Sequence, residues 1–209
     1  MENPWKEVAL DDYERHMSLS SVFQLQTLDA MMARQLYDHP VSSVCILGVA
    51  GGNGLRHVDP EKLERVYGVD INPDYLEACR ERYPALAGCF RPVSADLTQR
   101  EADLPRVDLV IADLFVEYVG YDAFVRAVCR MRPLWVSCVV QVDTGTEFVS
   151  RSPYLEKLSV LGAVHRTIDA DVLTERMADA GYRLCLTESE GLPNGKRLRR
   201  VDYAAECRG

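Results

Sequence analysis

A short apolar strand followed at once by a glycine-rich turn most constrains how this chain folds. Ser43–Leu47 is apolar throughout its interior, as expected for a parallel strand buried on both faces. Gly48, Gly51, Gly52 and Gly54 follow it. Residues without bulky side chains let a backbone approach a ligand closely, although the same run also suits a plain strand-to-helix turn. Ligands of open α/β sheets bind at the carboxyl ends of the strands, so we expect a cofactor loop here.

Two acidic residues follow the next two predicted strands. Asp70 ends the strand Arg65–Asp70, and Asp96 comes after the strand Phe90–Ser94. An acid in the first position can accept hydrogen bonds from both hydroxyls of a ribose. Asp96 can accept from the exocyclic amine of adenine, with Leu97 beside the ring. Each aspartate taken alone is also typical of a turn or a helix cap.

Strand and helix patterns alternate along the rest of the chain. Asn72-Pro73-Asp74 predicts a helix start, and Gly181 predicts a helix end. The remaining predicted elements are strands at Val107–Ala112 and Leu134–Val142, helices at Tyr121–Met131 and Ala170–Ala180, and a hairpin of Tyr182–Thr187 with Arg197–Ala204. This order predicts an α/β fold with three layers: a doubly wound, mainly parallel sheet of seven strands that ends in an antiparallel hairpin.

The first 40 residues are predicted to be a helical segment. Ser21 and Gln24 match a capping box, which predicts a helix beginning there and running to about Tyr37. Its apolar residues recur at helical spacing. Between the first two strands, Pro60 limits any helix to short pieces.

Charge and cysteine content narrow the class of protein. The net charge of −8 argues against a broad nucleic-acid-binding surface. We find no apolar run that would span a membrane and no signal-peptide core, so we expect a cytoplasmic location. Seven cysteines without a C-x-x-C pair indicate buried thiols in a reducing compartment and no zinc site. The basic run Lys196–Arg200 is interpreted as a solvated sheet edge, with an anionic substrate or partner as the alternative.

The segment from Val44 to Leu114 resembles the class I (Rossmann-like) S-adenosylmethionine-dependent methyltransferases. Ala50–Gly54 resembles the family's glycine motif, Val69–Asn72 its ribose motif, Asp96-Leu97 its adenine motif and Asp108–Leu114 its fourth strand. The resemblance implies S-adenosylmethionine as the cofactor. The implied cofactor-binding residues are Gly48, Val49, Ala50, Gly51, Gly52, Gly54, Asp70, Ile71, Asp96, Leu97, Asp113 and Leu114. It also implies one methyltransferase domain over residues 1–209, with a lid at 1–40, a core at 41–209 and a substrate-side insert at 144–168.

The chain departs from that family at two positions. The family usually has an acid where this chain has Gly48, and a glycine where it has Ala50. The missing acid commonly helps to hold the methionine end of the cofactor. We expect Asp113 or the N-terminal segment to compensate.

Residues for catalysis and for substrate binding are expected around the fourth strand and in the lid. Glu117 is the first candidate for a general base and His16 the second, although an exposed loop carboxylate and a surface or capping histidine are the plain alternatives. Tyr13, Met17, Tyr118 and Tyr154 are the expected lid and substrate contacts. The insert also carries Phe148, Leu155, Leu158 and His165, which would form a partly apolar wall.

These features favour a small-molecule acceptor and a monomer or homodimer, with a protein acceptor left open. Asp113 and Asp143 end strands where metal-dependent family members hold magnesium, but without a third ligand we predict no metal. An NAD(P)-dependent oxidoreductase is disfavoured because Ala50 and Asn53 break the G-x-G-x-x-G pattern. A non-catalytic protein that binds S-adenosylmethionine or a nucleotide is the other alternative.

Overall fold

A computed structural model describes residues 3–99, 102–142 and 149–206. One sheet of seven strands has the order β3-β2-β1-β4-β5-β7-β6. The strands are β1 (Ser43–Leu47), β2 (Arg65–Asp70), β3 (Phe90–Ser94), β4 (Leu109–Asp113), β5 (Trp135–Val142), β6 (Tyr182–Gly191) and β7 (Arg197–Ala205). Strands β1 to β5 pair in parallel, and β7 pairs antiparallel with both β5 and β6. The predicted fold class, including the terminal hairpin, is confirmed.

Helices cover both faces of the sheet. They are α1 (Leu10–Ser18), α2 (Gln24–Tyr37), α3 (Pro73–Arg82), α4 (Val116–Met131), α5 (Leu155–Leu158) and α6 (Ala170–Asp179). On β1, Val44 and Ile46 pack towards α2 and α3, whereas Cys45 and Leu47 pack towards α4 and α6. Alternate side chains of a strand point to opposite faces, which explains why the whole of this strand is apolar. In the described part of the chain, no helix has the length and apolar character needed to cross a bilayer.

Helix α2 begins two residues later than predicted, and the capping-box interpretation of Ser21 and Gln24 is wrong. Phe23 is the N-cap residue, with φ of 56°, and no side chain caps the helix. Gln24 points into the protein instead, and its Nε2 donates to Gln141 Oε1 at 2.6 Å. A tertiary hydrogen bond therefore takes the side chain that the local motif would have used.

The interpretation of the basic run as a solvated edge is also wrong. The sheet order places β7 between β5 and β6, so β6 is the edge strand. Arg200 is fully buried and Lys196 is 8% exposed, whereas Arg197 is exposed. A buried guanidinium needs a paired carboxylate, and Asp202 supplies one on the same strand.

Helix α4 begins at Val116, five residues before the predicted start. Gly120 interrupts it with φ of 77° and ψ of 166°, and the backbone N–H of Arg166 donates to Glu117 O beside this break. Val116–Val119 thus forms a separate first turn directly after β4. Glu117 in that turn is 3% exposed, so it is not an exposed loop residue.

Candidate functional site

A cleft of about 650 Å³ opens at the carboxyl ends of β1, β2 and β4. Its walls come from the N-terminal segment, the glycine-rich turn and the ends of three strands. The lining residues are Asn3, Trp5, Tyr13, Gly48, Ala50, Val69, Asp70, Ile71, Tyr75, Ala95, Asp96, Leu97, Asp113, Leu114, Phe115, Tyr118 and Val119. A second compartment of about 510 Å³ shares Tyr13, Gly48, Ala50 and Asp113 with it.

Backbone N–H groups hold Asp70 at one end of the cleft. Its Oδ2 accepts from Ala50 N and its Oδ1 from Asn72 N, both at 2.9 Å. Burial raises the pKa of Asp70, and these N–H groups act in the opposite direction. Each carboxylate oxygen has a further lone pair, so both can still accept from a pair of ligand hydroxyls.

Gly48 is the position where the methyltransferase family that the sequence resembles usually has an acid, and the structure gives a steric reason for the absence of that acid. A Cβ on Gly48 would lie 2.5 Å from Phe115 Cδ2, and its φ is 70°. The Phe115 ring thus occupies the space that an acidic side chain would need. Ala50 also has a positive φ, of 46°, at the position where a glycine is usual. This strained backbone directs the Ala50 N–H at Asp70.

Asp113, at the end of β4, faces both compartments. Its Oδ1 accepts from Gln35 Nε2 at 2.8 Å. Its Oδ2 is buried and has no hydrogen-bond partner among the described residues. Burial raises the pKa of Asp113 to about 7. An unpaired buried acceptor costs about 1–3 kcal/mol, a cost that a ligand with a donor or a positive charge would offset.

The N-terminal segment covers the cleft and is tied to the sheet by hydrogen bonds. Tyr75 OH donates to Val8 O at 2.8 Å, and Asn72 Nδ2 donates to Trp5 O at 3.0 Å. The Trp5 ring makes edge contacts with Tyr13 and Tyr118, with centroids at 5.3 and 4.9 Å. These three rings close the cleft on the side away from the strands.

An ion pair holds α1 above the glycine-rich turn. Arg82 bonds both carboxylate oxygens of Glu14 and also donates to Gly51 O at 3.0 Å. The turn, α1 and α3 therefore meet at one guanidinium. Bidentate arginine–carboxylate pairs give a more defined geometry than single contacts.

The structure places most of the predicted binding residues at the cleft or its second compartment. The cleft takes Tyr13, Tyr118 and eight predicted cofactor residues, Gly48, Ala50, Asp70, Ile71, Asp96, Leu97, Asp113 and Leu114. Val49 and Gly51 line the second compartment. Gly52 and Gly54 lie behind the turn, where Leu55 and Met32 pack against their α-carbons. Asp96 accepts from the N–H and hydroxyl of Thr98, so part of its hydrogen-bonding capacity is used in a turn.

Four other predicted residues lie outside the lining of the cleft. Glu117 Oε1 accepts from Gln141 N at 2.9 Å, which joins α4 to β5. His16 is buried rather than on the surface, and its Nδ1 is 2.8 Å from Ser152 Oγ. Burial, followed by the charge of Lys196, lowers the pKa of His16. Met17 packs in the core with Leu28, and Tyr154 packs beside Leu158 and Leu161.

Sequence reasoning missed several residues of the cleft. Trp5, Tyr75, Phe115 and Val119 line it but belong to no motif. Trp5 is the one aromatic residue among the first seven, which was the available signal in the sequence. Gln35 lies in α2 and reaches Asp113 only because the helix packs against β4 and β5, which no local pattern encodes.

Metal ligands were not predicted, and Asp143, with residues 144–148 of the insert, lies outside the described residues. Within the described ranges no three His, Cys, Asp or Glu side chains come together in a group that could hold a metal ion. Cys45, Cys79, Cys89 and Cys138 are buried free thiols, as expected. Cys129 and Cys185 are exposed, so burial was wrongly expected for those two.

Solved structures with the same fold are numerous, although their sequences are distant. The chain matches magnesium protoporphyrin IX methyltransferase (ChlM) from Synechocystis PCC 6803 with bound SAH (S-adenosylhomocysteine), at a TM-score of 0.69 and 15% identity over 97% of this chain and 96% of that one. It matches the N-methyltransferase NodS from Bradyrhizobium japonicum WM9 in complex with S-adenosyl-L-homocysteine, at 0.67 and 12%, over 98% and 99%. It also matches the [4+2]-cyclase SpnF, at 0.64 and 11%, over 86% and 81%.

No protein-family model matches the sequence, and a search of curated proteins finds no match. The structural likeness therefore establishes the fold: this chain has the class I fold of S-adenosylmethionine-dependent methyltransferases. The cyclase among these structures shows that the fold alone does not fix the reaction.

Proposed function

We propose that the protein is an S-adenosylmethionine-dependent methyltransferase that acts on a small-molecule acceptor. The observation that carries this proposal is the pair of carboxylates in one cleft, Asp70 among backbone N–H groups and Asp113 with a buried free oxygen. Asp70 suits the two hydroxyls of a ribose. Asp113 suits the ammonium group at the amino-acid end of the same cofactor, and it takes the place of the acid that is missing at Gly48.

Different residues of the chain would contact each part of the cofactor. Ile71, Asp96 and Leu97 would hold the adenine, Asp70 the ribose, and Ala50, Gly48 and Asp113 the methionine end. Structurally similar proteins support the choice of cofactor, since ChlM and NodS were crystallised with S-adenosylhomocysteine. Residues 1–40 act as the lid in this proposal and residues 41–209 as the core.

When bound, the cofactor supplies an electrophilic methyl group on a sulfonium, which an acceptor attacks in line. The protein then has to align the acceptor and exclude water. Trp5, Tyr13 and Tyr118 perform both tasks as the roof of the cleft. His16 is the second proposed base, but it lies outside the lining of the cleft, and its lowered pKa makes its ring a weaker base.

Glu117 is the other proposed base. One oxygen of Glu117 already accepts from Gln141 N, so Glu117 has a structural role that must be kept when its catalytic role is tested. Glu117→Gln keeps the acceptor oxygen for Gln141 N and removes the charge. We expect unchanged cofactor binding and lost turnover, whereas unchanged turnover would remove Glu117 from the mechanism.

The acceptor is proposed to be a small molecule because the cleft is covered and compact. Its lining residues in the described ranges include no lysine or arginine, which nucleic-acid sites require. Candidate acceptors are therefore neutral or cationic compounds with apolar surface, which would contact the aromatic roof.

Isothermal titration calorimetry with S-adenosylmethionine, S-adenosylhomocysteine and NADH tests the cofactor. We expect both sulfur compounds to bind and NADH not to bind. Failure of both sulfur compounds would refute the proposal, and NADH binding would favour an oxidoreductase. A screen of acceptors with radiolabelled methyl donor then tests for transfer, since a protein that binds the cofactor without transfer is the non-catalytic alternative.

A further inference from the structure

Gln35 connects Asp113 to a buried ion pair on the far side of β5. Its side chain is fully buried, and its Nε2 donates to Asp113 Oδ1 at 2.8 Å and to Ser137 Oγ at 2.9 Å. Ser137 Oγ in turn donates to Asp202 Oδ1 at 2.5 Å. Asp202 is 1% exposed and pairs with the buried Arg200.

The ion pair sets the direction of every hydrogen bond in this chain of groups. Because Arg200 keeps Asp202 ionised, the Asp202 carboxylate is an acceptor only, and the Ser137 hydroxyl hydrogen must point to it. Ser137 Oγ must then accept from the Gln35 amide. The NH₂ group of Gln35 therefore faces both Ser137 and Asp113, and the amide cannot turn its oxygen towards Asp113.

The two oxygens of Asp113 have different surroundings. Gln35 occupies Oδ1, and this fixes the rotation of the carboxylate. The other oxygen, Oδ2, is buried and is left without a partner among the described residues, and Asp113 lines both compartments. The network thus presents a single acceptor oxygen to the methionine end of the cleft.

We propose that Gln35 is a positioning residue that determines specificity for ligands with an ammonium group at the amino-acid end. It acts through Asp113, whose Oδ2 it orients towards that ammonium. This inference rests on the proposed function, because it assigns a role within the same cofactor site. Ser137 and the Asp202–Arg200 pair keep the Gln35 amide in the required orientation.

Two probes that share the adenosine thioether test this inference. S-adenosylhomocysteine carries the amino-acid end, and 5′-methylthioadenosine lacks it. We would measure the Kd of both by calorimetry for the wild type, for Gln35→Met and for the matched control Gln26→Met, since Gln26 lies on the exposed face of the same helix. Gln35→Met should weaken S-adenosylhomocysteine about tenfold and 5′-methylthioadenosine less than about twofold, and Gln26→Met should change neither.

A merely structural role for Gln35 would weaken both probes together and leave the ratio of their Kd values unchanged, which would overturn the inference. If Gln35→Met does not fold, Ser137→Ala provides the same test, because it frees the Gln35 amide to rotate. It should likewise raise the Kd of S-adenosylhomocysteine relative to that of 5′-methylthioadenosine. Failure of the wild type to bind either probe would overturn the proposed function together with this inference. Binding of both with an unchanged ratio in the variants overturns the role of Gln35 alone.

Discussion

Asp70 and Asp113 end the two strands that flank β1, yet groups of different kinds hold them. Asp70 accepts from the backbone N–H groups of Ala50 and Asn72, which lie 20 and 2 residues away in sequence. Asp113 accepts from the side chain of Gln35, 78 residues away. One end of the cleft is thus built by local backbone, and the other by packed side chains from distant elements. The backbone N–H groups at Asp70 remain when neighbouring side chains are substituted. The environment of Asp113, in contrast, depends on each side chain of the network.

Removing the buried guanidinium of Arg200 should have the largest effect, because Arg200 pairs with Asp202 in the side-chain network that leads to Asp113. Arg200→Met leaves Asp202 buried without its main partner and should lower the free energy of unfolding by about 3–5 kcal/mol. Arg197→Met, on an exposed site of the same strand, should cost less than about 0.5 kcal/mol. Urea denaturation followed by circular dichroism measures both. Equal midpoints for the two variants would contradict the importance of the network.

Asp70→Asn tests the end of the cleft at which backbone N–H groups hold the carboxylate. The amide keeps only one acceptor oxygen and places an NH₂ group against a backbone N–H donor and the ligand hydroxyls. We expect S-adenosylhomocysteine and 5′-methylthioadenosine to weaken alike, by about 100-fold, because both contain the ribose. Calorimetry checks this expectation, and Asp59→Asn, in a partly exposed turn outside the cleft, serves as a control. A selective loss of only one of the two ligands would show that Asp70 does not hold the ribose.

The pH dependence of binding should distinguish the two ends. The pKa of Asp113 is about 7 in the free protein, so below pH 7 it is mostly protonated and cannot pair with an ammonium. As pH rises through 7 the carboxylate ionises, and affinity for S-adenosylhomocysteine should rise about tenfold between pH 6 and pH 8. Affinity for 5′-methylthioadenosine should stay flat over that window. Asp113→Asn should abolish the rise, and persistence of the rise in this variant would assign it to another group.

Tyr75→Phe should have the smallest effect, because it removes one hydrogen bond between α3 and the N-terminal segment. Loss of the bond to Val8 O should cost about 1 kcal/mol and accelerate hydrogen exchange in residues 3–18. Tyr67→Phe removes a hydroxyl that makes no hydrogen bond within the described chain, and provides the control. If exchange is unchanged in Tyr75→Phe, other contacts hold the N-terminal segment.

The amino-acid sequence was sufficient for the local parts of this protein. The bounds of β1, β2 and β3, the Asn72 cap of α3 and the positive φ of Gly181 follow from patterns within a few residues. The glycine-rich turn and Asp70 could be paired because parallel strands bring their carboxyl ends to one edge. Motif reasoning therefore located the end of the cleft that contains Asp70.

Only the tertiary structure decided what happens where distant elements meet. Gln24 was assigned to a cap but bonds Gln141, and the arginine assigned to a solvated edge is buried inside the sheet. The strand order β5-β7-β6 and the packing of α2 create these environments, because burial and pairing of a polar side chain depend on neighbours far away in sequence. The sequence alone showed that Gly48 stands where an acid is usual. The structure showed that Phe115 fills the space beside Gly48, and that Gln35 bonds Asp113, because both contacts join elements that are distant in sequence.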